Sequence, residues 1–286
     1  MEQAIERGGV VARGDRLLVA CSGGPDSVAL VAALAAVSKP MELAISLAHV
    51  NHGVRTSAWQ DECVVARIAA TFGVALETIA LKPGGSAESE LRDARYAALE
   101  AAAGRAGATA IATAHHAEDQ SETVLLALFR GAGPEGIAGM RARRAFVPGL
   151  ELCRPLLRID SHTLRDYCHA YALPYCIDPT NADTELRRNA VREALSALRP
   201  LFPGLDAAVA RAAELSGDEL DASDRAALRR RVRDRLGEET ALRDVDFAHV
   251  EAAVRALERG GSGSFHMKAG LALEIESGAI AGITKR

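Results

Sequence analysis

The sequence contains no pair of cysteines spaced as Cys-x-x-Cys, and its five cysteines are scattered along 286 residues. Isolated cysteines do not form the ligand sets of zinc or iron–sulfur sites, and an odd number argues against a disulfide framework. We interpret all five as reduced thiols of the protein core. They are Cys21, Cys63, Cys153, Cys168 and Cys176.

Long hydrophobic runs are also missing. The longest uninterrupted apolar stretch near the N-terminus, Val28 to Val37, is too short to span a bilayer. The first residues, Met1 to Gln3, lack the basic start and apolar centre of a signal peptide. We therefore expect no membrane partner and a cytoplasmic location.

Positive charge is not in excess, because 34 basic and 38 acidic residues give a net charge of −4. This balance excludes binding to nucleic acid through overall charge, so any contact with phosphates must come from local patches. Nearly all the basic residues are arginine. That preference is consistent with phosphate recognition and equally with the base composition of a genome that encodes an alanine-rich protein.

What the chain does contain is enough apolar material for a sizeable core, at 49% hydrophobic residues. From Pro200 onward, proline and glycine interrupt the pattern and helical stretches rich in Ala, Arg and Glu follow. We expect a larger domain over residues 1–200 and a smaller, mainly helical domain over residues 201–286. Near the end, residues 260–264 are expected to form a flexible turn, and Leu271–Ile275 a hairpin with Ile280–Ile283.

Apolar runs typical of strands alternate with helical patterns in the first half of the chain. The strand-like runs are Leu17–Ala20, Leu43–Val50, Leu76–Ala80 and Ala110–Ala114. The helical patterns are Val28–Val37, Ala58–Phe72, Ala87–Ala103 and Glu118–Phe129. Strands that are apolar throughout suit a parallel sheet covered on both faces. The pattern therefore predicts an α/β fold: a doubly wound, mainly parallel sheet with helices on both faces.

A glycine loop, residues 22–27, separates the first strand from the first helix of this pattern. Gly23 and Gly24 allow backbone N–H groups to approach an anion closely. Pro25 fits the first turn of a helix, whose N-terminus attracts negative charge. The spacing matches neither the Gly-Lys-Ser/Thr of a P-loop NTPase nor the GxGxxG of a dinucleotide site.

The side chains of the same loop favour a phosphate ligand that carries a metal ion. Ser22 and Ser27 add hydroxyl donors. A carboxylate such as Asp26 would repel phosphates unless a divalent cation lay between them, so the loop predicts a nucleotide with Mg²⁺.

Polar clusters follow three of the four strand-like runs. In a parallel sheet, ligands bind beyond the carboxyl ends of the strands. One isolated histidine at a strand end would more often be structural, but three clusters on one edge indicate a shared site. The clusters are residues 22–27, His49–Arg55 and His115–Thr123.

The third cluster leads a helix, in which residues three or four apart lie on one face. We therefore expect His115 to point with Asp119, and Asp119 to point with Glu122. Asp26 and Asp119 are expected to hold Mg²⁺ jointly, while a carboxylate binds a substrate ammonium group. No further nitrogen or sulfur ligand at a fixed spacing indicates a transition metal. Favourable charge at a helix N-terminus is the alternative explanation for these carboxylates.

The glycine loop resembles that of the N-type ATP pyrophosphatases, and the ordered motifs over about residues 15–200 resemble the tRNA(Ile)-lysidine synthase family. The motifs are Val19–Ser27, His49–Arg55, Ala114–Thr123, Arg130–Gly133 with Gly139-Met140, Arg154–Leu157, Asp178–Asn181, and Arg188-Asn189-x-x-Arg192. One motif would mark only the superfamily, whereas the ordered set is specific to this family. The resemblance implies an adenine nucleotide alpha hydrolase-like fold.

The resemblance also implies a reaction in two steps. The C2 oxygen of the wobble cytidine in a CAU anticodon attacks the α-phosphate of ATP and releases pyrophosphate. The ε-amine of free lysine then displaces AMP and gives lysidine. The implied partners are tRNA(Ile) with a CAU anticodon and L-lysine, and the implied cofactors are ATP and Mg²⁺.

Three groups of site residues follow from the same resemblance. ATP binding is assigned to Ser22, Gly23, Gly24, Pro25, Asp26, Ser27, His49 and His52. Catalysis and lysine binding are assigned to His115, Asp119, Glu122 and Arg154, with Asp26 and Asp119 as the Mg²⁺ ligands. Contacts with tRNA are assigned to Arg55, Arg187, Arg188 and Arg192.

Some of these residues keep a second interpretation. Arg154 could reach a phosphate or the tRNA, or it could be a structural arginine before Pro155. The arginines between residues 187 and 192 could form a basic helix face for tRNA or a solvated one, and those between residues 141 and 144 share this ambiguity. Asp178–Asn181 is by default a turn, which the resemblance implies is a loop near the site.

Other functions remain as alternatives. A tRNA thiolase of the same superfamily shares the loop but typically uses cysteine pairs, which this chain lacks. Amidotransferase-linked ligases such as GMP synthetase share it too, but usually need a glutamine-hydrolysing partner or domain. A non-catalytic nucleotide- or RNA-binding module is less favoured because Asp26, His115 and Asp119 are all in place. Family members commonly continue into further tRNA-binding modules, so we expect residues 201–286 to be a helical linker and a small tRNA-contacting C-terminal domain, in a chain that is either naturally short or truncated. A homodimer is a candidate assembly.

Overall fold

The computed structural model describes residues 1–51, 58–81, 88–176, 186–222, 224–237, 247–266 and 271–285. The strands are β1 (Arg16–Ala20), β2 (Ala44–Asn51), β3 (Ala75–Ala80), β4 (Ala110–Ala112), β5 (Arg143–Val147), β6 (Leu150–Cys153), β7 (Gly263–His266), β8 (Leu271–Glu276) and β9 (Ala279–Lys285). The helices are α1 (Glu2–Arg7), α2 (Pro25–Val37), α3 (Ala58–Phe72), α4 (Glu88–Ala106), α5 (Ala117–Phe129), α6 (Pro134–Ile137), α7 (Ser161–Ala170), α8 (Leu186–Leu198), α9 (Leu205–Ala222), α10 (Asp224–Gly237) and α11 (Phe247–Glu258).

The main sheet has the strand order β3-β2-β1-β4-β6-β5. Every neighbouring pair is parallel except β5 with β6, which is antiparallel. The chain builds outward from β1 through β2 to β3 and then returns to the other side of β1 with β4. Loops after β1 and β4 therefore leave in opposite directions, which opens a crevice at the carboxyl ends of these two strands.

Both faces of the sheet are covered, as the predicted fold class requires. Leu17 and Val19 of β1 pack in one buried cluster with α2, whereas Leu18 packs in another with Leu99 of α4 and Leu152 of β6. Successive side chains of a strand point to opposite faces, so this division places apolar layers on both sides of β1. The doubly wound α/β fold is thus confirmed, while β5 and β6 were not predicted from the sequence.

Contacts divide the described chain into two compact units. One comprises Met1–Glu122 with Met140–Ala210, and the other Thr123–Gly139 with Arg211–Arg286. The second unit thus includes residues from the middle of the chain, which a boundary drawn along the sequence does not anticipate. The division into functional domains at residue 200 stays a prediction.

The second unit contains a three-stranded antiparallel sheet, in the order β7-β8-β9, besides its helices. The predicted hairpin corresponds to β8 and β9. The expected turn at residues 260–264 was partly wrong, because Gly263 and Ser264 begin β7 and pair with β8. Among the described residues, no helix is long and apolar enough to cross a membrane.

An ion-pair network ties the edge strand β5 to the loop before β1. Arg143 Nη1 lies 2.6 Å from Asp15 Oδ2, and the same guanidinium also pairs with Glu151. Arg143, for which the sequence left a role in tRNA binding open, is therefore engaged within the fold. Burial alone would raise the pKa of Asp15, but the hydrogen bonds from Arg143 and from the Ala12 N–H outweigh it and lower that pKa.

Asp15→Asn is expected to lower the free energy of unfolding by about 2 kcal/mol at neutral pH, because a buried charge-assisted hydrogen bond is lost. The native pKa of Asp15 is depressed, so its stabilisation is complete above the ordinary value of 3.8 and disappears as the pH falls below it. Urea unfolding from about pH 5 to about pH 3 should show the two proteins converging in stability.

Glu42→Gln is the matched control, because Glu42 pairs with Arg13 on the surface, where ion pairs contribute little. If Asp15→Asn and the parent differed by the same amount at every pH, the assigned role of Asp15 would be wrong.

Candidate active site

The glycine loop connects β1 directly to α2 and is held by its own hydroxyl groups. Ser27 Oγ donates a hydrogen bond of 2.9 Å to the Gly24 carbonyl and lies 3.2 Å from Ser22 Oγ. Gly24 is the N-cap of α2 and provides no side chain to cap the helix, while Pro25 occupies its first turn. The first N–H groups of α2 are thus not capped by a side chain of Gly24, as expected for an anion site.

Gly23 has a φ of +90°, a conformation that residues with a side chain rarely adopt. A Cβ at this position would also lie 3.3 Å from the backbone oxygen of Asp61. Only glycine therefore allows this loop shape without strain.

Gly23→Ala is expected to cost about 1–3 kcal/mol of stability and to weaken nucleotide binding, because the loop must change shape. Urea unfolding and titration with a fluorescent ATP analogue would measure the two effects. Gly104→Ala is the control: Gly104 lies inside α4 with no atom within 4 Å of an added Cβ, so alanine should stabilise the helix slightly. Unchanged nucleotide affinity in Gly23→Ala would contradict the assigned role of the loop.

His49 supports the loop from the neighbouring strand. It lies on β2, is only 3% exposed, and its Nδ1 is 2.9 Å from the carbonyl oxygen of Cys21. The sequence assigned His49 to ATP binding. Its contact with the protein is to the backbone just before the loop, and a contact with ATP stays a prediction. His52 and Arg55 lie outside the described residues.

The segment between β4 and α5 brings His116 against two carboxylates from the first turns of two different helices, α2 and α5. His116 Nε2 lies 3.7 Å from Asp26 Oδ2 and 3.5 Å from Asp119 Oδ2. On its other side, His116 Nδ1 lies 2.9 Å from Glu118 Oε2. Asp26 follows β1 and Asp119 follows β4, so the segments after these two strands meet at the crevice between them, as the topology predicts.

The ionisable side chains of this cluster shift one another's pKa values strongly. Burial by itself lowers the pKa of His116, but Glu118, Asp119 and Asp26 raise it to about 9. Burial likewise raises the pKa of Glu118, yet His116 and Ser161 lower it to about 2. The pKa of Asp26 is raised, chiefly by burial. An imidazolium thus lies between carboxylates that attract positive charge.

Glu118 anchors His116 to the start of α7. Its carboxylate accepts hydrogen bonds from the N–H of Ser161 at 3.0 Å and from the Ser161 hydroxyl at 2.8 Å. Neither His116 nor Glu118 was among the site residues predicted from the sequence. The adjacent histidine pair was the available signal, but spacing alone did not distinguish the two rings.

His115 lies before the helix that carries its predicted partner, Asp119. The expectation that His115 and Asp119 share a helix face was wrong, because α5 begins only at Ala117 and His115 precedes it. Its Nδ1 instead lies 2.9 Å from Thr113 Oγ1. Burial, with nearby arginines, lowers the pKa of His115 to about 3, so the ring is neutral at pH 7.

Glu122 lies on α5 and is held by two arginines of α8. Arg188 Nε is 3.2 Å and Arg192 Nε 2.8 Å from its carboxylate oxygens, and the Glu122 side chain is only 4% exposed. These two arginines, predicted to contact tRNA, therefore contact Glu122, which was predicted to serve lysine. The side chain of Arg187 and the whole of Asp178–Asn181 lie outside the described residues.

Arg154 is buried and directly follows β6. Its Nη1 donates a hydrogen bond of 2.7 Å to the Arg141 carbonyl, and burial lowers its pKa. The interaction with backbone supports the structural interpretation of this residue, and any contact with substrate stays a prediction.

The donor set at the crevice fits a hard cation in one respect. Asp26 and Asp119 both offer carboxylate oxygens near Nε2 of the positively charged His116, and Mg²⁺ is commonly held by one or two carboxylates together with phosphate oxygens. Within the part of the chain that the structure describes, no three His, Cys, Asp or Glu side chains are grouped to hold a metal ion. A magnesium site here would therefore need oxygens from a nucleotide.

The sequence profile of the PP-loop domain family matches residues 1–198. The chain belongs to this family. Known relatives include a tRNA(Ile)-lysidine synthase of Salinispora arenicola, 45% identical over 73% of this chain and 64% of that protein. Another, of Streptomyces coelicolor, is 41% identical over 78% of this chain and 64% of that protein. The chain thus spans less than two thirds of the length of these relatives, and the family resemblance of its motifs is confirmed.

Among solved structures, a U34-tRNA thiolase, NcsA, of Methanococcus maripaludis is similar in fold. The TM-score is 0.64 over 74% of this chain and 77% of that chain, at 15% sequence identity. Identity at this level supports the shared fold alone.

Proposed function

We propose that this protein ligates free L-lysine to C2 of the wobble cytidine of tRNA(Ile) with a CAU anticodon, using ATP and Mg²⁺ in the cytoplasm. The observation that carries the proposal is the meeting of Asp26 and Asp119 around His116 beside the glycine loop. The names of the relatives support the choice of reaction, and the family profile matches over residues 1–198, which include this site.

The first step needs the α-phosphate of ATP held in line with the attacking C2 oxygen of cytidine. The N–H groups at the start of α2 and the hydroxyls of Ser22 and Ser27 are the proposed phosphate donors. When bound, Mg²⁺ would neutralise phosphate charge. Positioning and fixed donors of this kind can lower a barrier by several kcal/mol.

The second step needs the lysine ε-ammonium bound and then deprotonated before it attacks C2 and AMP leaves. Asp119 is the proposed carboxylate for the ammonium group. His115 is neutral at pH 7, so it adds no repulsion and can accept a hydrogen bond. Glu122 is already paired with Arg188 and Arg192, so we propose that it positions α8 instead of binding lysine.

Incorporation of radiolabelled lysine into a CAU-anticodon tRNA(Ile) tests the proposal. We expect incorporation that requires ATP, Mg²⁺ and the wobble cytidine, with no signal from the same tRNA carrying uridine at that position. If pyrophosphate is released only in the presence of tRNA but no lysine is incorporated, another nucleophile is used. If folded, ATP-binding protein shows neither lysine incorporation nor pyrophosphate release, the proposed reaction is contradicted.

A further inference from the structure

A cluster of arginines and aromatic rings lies beside the candidate active site, within the first compact unit. The rings of Tyr96 on α4 and Phe146 on β5 are 5.6 Å apart. Two guanidinium groups of α4 lie over the Tyr96 ring, at 5.3 and 5.4 Å from its centre, and a third lies 5.8 Å from the centre of Phe146. We call this group the arginine patch: Arg92, Arg95, Tyr96, Arg144, Phe146 and the buried Arg154.

The patch carries positive charge that the fold does not neutralise. Across the described residues, no ion pair involves any of its four guanidinium groups. Arg105, on the same helix, differs because it pairs with Glu77 at 2.5 Å. Burial lowers the pKa of Arg154, and the like charges of Arg144 and Arg92 act in the same direction, whereas Tyr96 opposes them. Folding therefore concentrates cationic charge here at a cost, which a bound anion would relieve.

Buried donors in the patch also lack acceptors. Arg154 is 4% exposed, and although its Nη1 reaches a carbonyl, its Nε has no hydrogen-bond acceptor among the described residues. The same holds for Arg95 Nε. Tyr96 faces Arg154, but its hydroxyl makes no hydrogen bond of normal geometry within the described chain. An unsatisfied buried polar group costs about 1–3 kcal/mol, so the Nε atoms of Arg95 and Arg154 together point to a missing acceptor.

We propose that the arginine patch binds the phosphodiester backbone of RNA next to the reacting nucleotide. This inference rests on the proposed function and adds a contact surface to it. Arginine with aromatic rings is the combination that tracks phosphates and stacks on unpaired bases. A single small anion would need only the buried groups, whereas Arg92 and Arg144 are exposed on separate elements.

The patch is connected to the site through His115. Burial, together with the charges of Arg154, Arg95 and Arg92, lowers the pKa of this ring and keeps it neutral. A phosphate bound in the patch would therefore lie close to the segment that leads into α5. Backbone contacts fix the register of a nucleic acid, so the patch would position the nucleotide that enters the crevice.

The test compares Arg92→Ala/Arg144→Ala with the parent protein and with Arg105→Ala. All three positions are exposed, so the variants should fold, which circular dichroism would verify. The probe is an anticodon stem-loop RNA with a CAU loop, and binding is measured by fluorescence anisotropy from about 50 to about 200 mM salt. We expect the double variant to bind about tenfold more weakly at low salt, with a slope of log K against log salt smaller by about 1–2. Arg105→Ala should match the parent.

Each other result has a defined meaning. If the parent binds the RNA and the double variant has the same affinity and slope, the inference is overturned and the proposed reaction is unaffected. If the parent does not bind the RNA, both the inference about the arginine patch and the proposed function fail. If low-millimolar inorganic phosphate displaces the RNA from the parent but not from the double variant, the patch is a small-anion site and the RNA assignment is wrong.

Discussion

Replacing Asp119 by Asn is expected to reduce lysine incorporation at least about 100-fold while the protein stays folded. The Asp119 carboxylate lies 3.5 Å from His116 Nε2 and accepts a hydrogen bond of 3.1 Å from the His116 N–H. Asparagine keeps an oxygen for the backbone hydrogen bond but removes the negative charge. The loss should therefore affect chemistry more than stability.

Both half-reactions should be measured for this variant. If Asp119 holds Mg²⁺ together with Asp26, pyrophosphate release should fall in Asp119→Asn and in Asp26→Asn alike. If Asp119 serves only the lysine ammonium, pyrophosphate release should persist and only lysine transfer should fail. These two results separate the two roles that we propose for one carboxylate.

Asp160→Asn is the control for the Asp119 experiment. Asp160 is exposed and caps α7 by accepting a hydrogen bond of 2.8 Å from the Thr163 N–H, a role that asparagine fills equally well. It should retain activity. If Asp119→Asn kept both pyrophosphate release and lysine transfer, the assignment of Asp119 to the site would be wrong.

Glu122→Gln is expected to lower the free energy of unfolding by about 3 kcal/mol, because a buried carboxylate that compensates two arginines is neutralised. The Glu122 side chain is 4% exposed, whereas Arg188 and Arg192 are 25% and 39% exposed. Water can partly solvate the two guanidinium groups, which places the cost at the lower end for a broken buried pair. Urea denaturation measures it.

Glu193→Gln is the matched control on the same helix as the two arginines, and its exposed position predicts a change within about 0.5 kcal/mol. A Glu122→Gln protein with unchanged stability but no lysine transfer would contradict our interpretation. Glu122 would then contact substrate, as the sequence motif first suggested.

The order of elements could be predicted from the sequence because local pattern determines it. Buried parallel strands are apolar throughout, and helices show their own period, so β1 to β4 and α2 to α5 were predicted within a few residues. The glycine loop could also be predicted from the sequence, since Gly23 adopts a positive φ that favours glycine. The rule that parallel strands end at one edge then brought Asp26 and Asp119 together.

The last two strands of the main sheet along the chain were harder to predict. β5 and β6 are short, and β5 is antiparallel to the rest of the main sheet. Arg143 and Arg144 at the start of β5 made the segment read as a basic loop. β5 joins the sheet by pairing with β6, and its Arg143 also pairs with Asp15, a residue 128 positions earlier in the chain. No local pattern contains that information.

The amino-acid sequence by itself determined the fold class, the phosphate loop and the edge of the sheet where the site lies, because these follow from local periodicity and backbone preference. Only the tertiary structure decided which histidine faces the carboxylates, because His115 and His116 precede α5 and their directions depend on packing. It also decided the partners of Glu122, since Arg188 and Arg192 lie 66 and 70 residues further along the chain. Contacts over such distances are set by how the layers pack.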